Sequence, residues 1–73
     1  MVRREAFLNK IRQLKYYFVS RQKRTDLWRK RGGTHYISVP LRDLLEDEFV
    51  ISSLRQSQVP DAEIQSFLTA TKS

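Results

Sequence analysis

The sequence predicts an α+β fold: a two-layer sandwich in the order α-β-β-β-α(-α), with a three-stranded antiparallel sheet carrying helices on one face. Three observations predict it. Apolar residues recur at helical spacing near the N-terminus, at Phe7, Leu8, Ile11 and Leu14. The middle of the chain then turns aromatic, β-branched and alternating, broken by a polar stretch and by Gly32-Gly33. Beyond Pro40 helical patterning returns, with acids at the expected helix starts. These periods, near 3.6 and 2, separate helix from strand.

The first helix is expected over Arg4 to Leu14, with Lys10, Arg12 and Gln13 turned away from its apolar stripe. Tyr16-Tyr17-Phe18-Val19 has strand composition. Gln22 to Thr25 is turn-capable and leads into a second short strand, Asp26-Leu27-Trp28-Arg29. Gly32-Gly33 delivers a third, Thr34 to Val39, which alternates and ends at Pro40 because proline has no N–H for a ladder. Two antiparallel hairpins follow from this order. Leu41 to Leu45 reads as a connection containing a helical turn. A second helix spans about Glu46 to Ser57, with Asp47 and Glu48 near its positive end and Arg55 near its negative end. A third starts with Pro60 at the first helical position and uses Ile64, Phe67 and Leu68.

All 73 residues form a single domain without repeat, low-complexity tract or linker. A chain this short buries only about 60% of its unfolded surface, so a partner or a homodimer would add needed burial. There is no cysteine, hence no disulfide or thiolate metal site, which fits a reducing cytoplasm. The longest apolar runs are too short for a bilayer, and no signal-peptide core follows Met1, so a cytoplasmic protein without membrane contact is expected.

Charge is distributed unevenly. Residues 1–31 hold 11 of the 14 Lys and Arg against two acids, a net of +9, while the remainder nets −3 and the whole chain +6. Such a field draws in polyanions and holds phosphates by releasing counterions. Six cations, Arg21, Lys23, Arg24, Arg29, Lys30 and Arg31, fall within eleven positions. If the first two strands pair, these side chains should converge at one end of the sheet and meet successive phosphates. Trp28, Tyr36 and Tyr17 lie close in sequence and are candidates for stacking on exposed bases, although in so small a fold each is more readily a core residue than a stacking one. Solubility and edge-blunting are the competing explanation for the cations.

Catalytic chemistry has little to work with. His35 is the only histidine, so no histidine pair exists for acid–base work and no histidine-based metal site. An imidazole can take a proton from a ribose hydroxyl, but His35 shares a strand face with Ile37 and Val39, which points to packing. Asp43, Glu46, Asp47 and Glu48 span a helix start, where carboxylates offset the dipole without a metal. No cofactor motif is present.

The order of elements, with Arg21-Gln22-Lys23, Ile37-Ser38-Val39-Pro40 and Ile51-Ser52-Ser53-Leu54-Arg55-Gln56, resembles the HicA family, the toxin half of HicA–HicB toxin–antitoxin pairs. Val59 to Leu68 resembles the family's closing helix, so the resemblance runs from about Glu5 to Leu68. It implies a double-stranded-RNA-binding-domain-like fold and a metal-independent mRNA endoribonuclease (an mRNA interferase), neutralised by a HicB-like antitoxin. Family members follow Arg-Gln-Lys with Gly-Ser-His, whose histidine is catalytic; here Arg24-Thr25-Asp26 stands there, so Asp26 occupies the catalytic position. An exposed aspartate with a pKa of about 4, lowered further by Arg24 and Arg29, is a poor base. Two consequences remain open: chemistry moved to His35, or a fold kept for RNA or protein binding without catalysis.

Overall fold

A computed structural model describes residues 1–71. The elements are β1 (Val2–Arg3), α1 (Arg4–Gln13), β2 (Tyr16–Gln22), β3 (Thr25–Lys30), β4 (Tyr36–Pro40), β5 (Leu44–Leu45), α2 (Asp47–Gln56) and α3 (Asp61–Thr71). The main sheet is antiparallel in the order β2-β3-β4, and β1 pairs with β5 in a separate two-stranded ladder. The small α+β domain with a three-stranded antiparallel sheet is therefore as the sequence predicts.

Three differences are instructive. The first strand continues past Val19 to Gln22, so the hairpin loop shrinks to Lys23 and Arg24, with Lys23 at a left-handed φ of +48°. Leu44 and Leu45 form no helical turn; they pair with Arg3 and Val2. That pairing joins segments some forty positions apart, and neither carries a strand pattern long enough to read alone. Pro60 lies just before α3 rather than inside it, and its carbonyl accepts the first helical bond from the Ile64 N–H at 3.0 Å.

The helix ends follow ordinary chemistry. α2 ends with Gln58 at φ +64°, the Gln58 N–H bonding to the Arg55 carbonyl and the Val59 N–H to the Leu54 carbonyl. This is a Schellman closure, and buried Leu54 and Val59 supply its apolar contact. α1 ends similarly at Lys15, φ +74°.

One core joins the layers. Phe7, Leu8 and Ile11 of α1, Val50 and Leu54 of α2, and Ile64 and Leu68 of α3 pack with Tyr16, Trp28, Ile37 and Val39 of the sheet and with Val2 and Leu45. Phe7 meets Phe49 edge-on at 5.6 Å between centroids. Tyr16 makes a buried polar link from the sheet to the end of α2: its hydroxyl lies 2.7 Å from Ser57 Oγ. Ser57 in turn donates to the Ser53 carbonyl, so Tyr16 is the donor of the pair. Strand residues alternate in and out of this core. Asp26, Trp28, Ile37 and Val39 are covered by helices, whereas Tyr36 and Ser38 are exposed and Leu27 and Arg29 half-buried on the opposite, uncovered face.

Candidate nucleic-acid interface

The register across the sheet decides which side chains meet. Tyr17 lies opposite Arg29, and Arg29 lies opposite Tyr36. The three therefore form one row across all strands on the uncovered face, since directly paired residues share a face with Cβ atoms about 5 Å apart. The Arg29 guanidinium sits 5.7 Å from the Tyr36 ring centroid, and its Nε donates to the Gly33 carbonyl at 3.2 Å. Arg29 is thus held in place between two exposed tyrosines.

Beside this row opens a cleft of ≈ 590 Å³ lined by Arg12, Lys15, Tyr16, Tyr17, Arg29, Arg31 and Gly32. Four of its seven lining residues are cations and none is an acid. Two backbone bonds fasten its walls: the Arg31 N–H to the Lys15 carbonyl at 2.7 Å, and the Lys30 N–H to the His35 carbonyl at 3.0 Å. Like charges with no counter-charge in a concave site make it a place for an anion.

The expectation that six cations converge at one end of the sheet is corrected. β3 runs between them: Lys23 and Arg24 occupy the hairpin at its start, and Arg29, Lys30 and Arg31 lie at its far end. Six strand residues at about 3.3 Å each separate the groups by roughly 20 Å. The far-end group gains Arg12 and Lys15 instead. Sequence reading turned Arg12 to solvent and gave Lys15 no role, yet the topology requires both: the end of α1 leads directly into Tyr16, which pairs with Lys30.

Arg21 is corrected too. Its Nε donates to Asp26 Oδ1 at 2.8 Å, and Arg4 bonds to Asp26 Oδ2. Arg4 also donates from Nε to the Pro40 carbonyl at 3.1 Å. Arg21 is therefore paired with a buried carboxylate, while its own side chain stays 63% exposed. Asp26 is only 3% exposed, not the surface aspartate expected, and its partners are Arg21 and Arg4, not Arg24 and Arg29. The Arg21 hydrogen bond holds the Asp26 carboxyl below the ordinary carboxylate range; burial opposes this, and Arg4 adds to it. Both carboxylate oxygens are engaged, so Asp26 is a structural anchor joining α1, β2 and β3.

Trp28, expected as a stacking residue, is 4% exposed. Its ring lies between Phe18, edge-on at 6.1 Å, and the Arg12 guanidinium at 5.2 Å, and offers no face to a base. Tyr17 and Tyr36 hold the exposed positions instead. His35 is half-buried just before β4, edge-on to Tyr16 at 6.1 Å, and its enclosed Nε2 has no hydrogen-bond partner. Among the described residues no group of three His, Asp or Glu stands together to hold a metal ion, and no helix is long and apolar enough to cross a membrane. No protein-family model, curated protein or solved structure matches the chain.

Proposed function

We propose that this chain is an RNA-binding domain that takes single-stranded RNA across the uncovered face of its sheet. The observation that carries the reading is the Tyr17–Arg29–Tyr36 row opening into the cation-lined cleft. Exposed rings on a sheet are stacking platforms for unpaired bases, and an adjoining cationic groove tracks the backbone. Lys23 and Arg24, at the other end of β3, extend the contact to phosphates about 20 Å away. The α-β-β-β-α order supports a double-stranded-RNA-binding-domain-like scaffold of the HicA type, used here through its sheet.

The test is binding to a fluorescent oligouridylate across a salt series, with a duplex of equal length as comparison. Tyr36→Ala should weaken binding with little change of salt slope, whereas Arg31→Ala should reduce the slope by about 0.7 in log K against log salt. Binding indifferent to salt, or equally tight to duplex, would overturn the proposal.

A second reading, a HicA-like mRNA endoribonuclease restrained by a HicB-like antitoxin, draws support from His35. Its ring, with Nε2 enclosed and unpartnered, lies edge-on to Tyr16, a lining residue of the cleft, and would have to turn out into the cleft to take a proton from a 2′-hydroxyl. Asp26 cannot serve, since Arg21 and Arg4 hold it. Cleavage of RNA in chelator and growth arrest on expression, both abolished by His35→Ala, are the outcomes this reading requires. Binding without cleavage leaves the RNA-binding domain alone.

A further inference from the structure

We propose that the free edge of β2 accepts an added β-strand from a protein partner, one with an apolar centre and carboxylates at both ends. β2 is an outer strand of the sheet and, at seven residues, its longest. Outer strands present a row of unpaired N–H and C=O groups, and folded proteins blunt them with charge, proline or a covering element. The opposite edge is shorter, five residues, and β4 ends at Pro40, with Ile37 and Ser38 lining an open groove beside Phe49 and Ser52 of α2. β2 has no covering element along its middle. Tyr17, Phe18 and Val19 are consecutive and 45%, 48% and 43% exposed. Val19 stands in a bulge with no partner on β3, the register passing from Phe18↔Trp28 to Ser20↔Leu27; the bulge twists the strand locally and is this edge's own partial blunting, while the apolar side chains around it stay exposed. An edge that is long, apolar at its centre and unpaired is suited to strand addition, in which main-chain bonds give affinity and flanking side chains give selectivity.

Charge selects the occupant. Lys15 precedes the strand and Lys23 and Arg24 follow it, with no acid between Lys15 and Arg24. None of the three forms an ion pair with an acid among the described residues. A second copy of this chain is the wrong partner. Antiparallel self-pairing about Val19 sets Lys15 against Lys23 at both ends, and like charges directly opposite are destabilising. A strand ending in Asp or Glu reverses the sign at both positions. This interface needs no RNA for its own binding and makes no use of the Tyr36 side of the sheet, but it shares Tyr17, Lys15, Lys23 and Arg24 with the proposed RNA surface, so the two ligands should compete.

The probe is the synthetic peptide Asp-Glu-Val-Thr-Val-Thr-Val-Glu-Asp, titrated into the isotopically labelled full chain and followed by amide NMR and hydrogen exchange. Shifts and slowed exchange should concentrate at Phe18, Val19 and Ser20 and spare Ile37 to Val39. The same peptide with Lys in place of its acids should bind at least about tenfold more weakly at low salt. N-methylation of alternate peptide amides should abolish binding with the protein untouched, and Lys15→Glu with Lys23→Glu should invert the preference between the two peptides. Absence of binding at about 1 mM peptide, binding that survives N-methylation, or shifts centred off β2 would overturn the proposal. So would self-association of the free chain that protects the same amides, because the occupant would then be a second copy. RNA binding is read out separately, so failure of either proposal leaves the other measurable.

Discussion

Replacing Asp26 with Asn keeps the side chain's size and removes its charge, which isolates what the carboxylate does. In the structure it receives Arg21 on Oδ1 and Arg4 on Oδ2 while almost entirely enclosed. Arg4 is the partner that matters for stability, being partly buried at the start of α1 and bonded also to the Pro40 carbonyl. Breaking a buried pair by removing one partner costs about 3–5 kcal/mol, and Arg4's partial access to water reduces this to roughly 2–4 kcal/mol. A domain of this size has a total stability of roughly 4–11 kcal/mol, so the loss is a large share. At about 4–8 °C per kcal/mol, the melting temperature should fall by roughly 10–30 °C at pH 7. The pH dependence supplies a second check. The Asp26 pKa is lowered in the folded state, so the folded state binds fewer protons there than the unfolded chain. Its contribution is fully present above the unfolded value of about 4 and is lost as pH falls through the folded value. Thermal denaturation of both proteins from pH 7 to pH 2 should therefore show two curves that converge in acid. A D26N protein as stable as the wild type at pH 7, or a gap unchanged at pH 2, would refute the ion-pair account. Combining D26N with Arg4→Met in a double-mutant cycle should give a smaller loss than the sum of the single changes.

Three further outcomes are expected. Gln58→Gly relieves the left-handed φ of +64° behind α2 and should stabilise by about 0.5–1 kcal/mol in urea denaturation, since nothing else in the closure depends on the side chain. Tyr16→Phe removes the donor to Ser57 but leaves Ser57 bonded to Ser53, so the loss in the same assay should be only about 0.5–1.5 kcal/mol. Leu54→Ala empties a fully buried position of α2 in the core and should cost about 2–5 kcal/mol, read as a shift in urea midpoint at constant m-value.

The paired roles of Arg12 and Trp28 show why part of the site was hidden. Trp28 alternates with Asp26 and Lys30, a pattern equally compatible with either face, and only the helices' position makes that face the covered one. Arg12 reads as a solvent residue on an amphipathic helix. It becomes a cleft residue because the helix ends where β2 begins, alongside the last residues of β3. The Arg4–Asp26 link spans twenty-two positions and leaves no local trace, and neither partner's neighbours distinguish it from any surface charge. By contrast, the Tyr17–Arg29–Tyr36 row was half legible: Tyr17 and Tyr36 stood out as aromatics near the basic stretch, and Arg29 as one of its cations.

Composition and periodicity by themselves determined the α+β class, the order of the three helices and the three main-sheet strands, most of the core and the strongly positive first half, because these depend on local spacing and on summed charge. The tertiary structure decided which cations stand together, which aromatics face water and that Asp26 is an anchor. Those outcomes depend on strand register and on which sheet face the helices cover, and both are fixed by contacts between residues far apart in the chain.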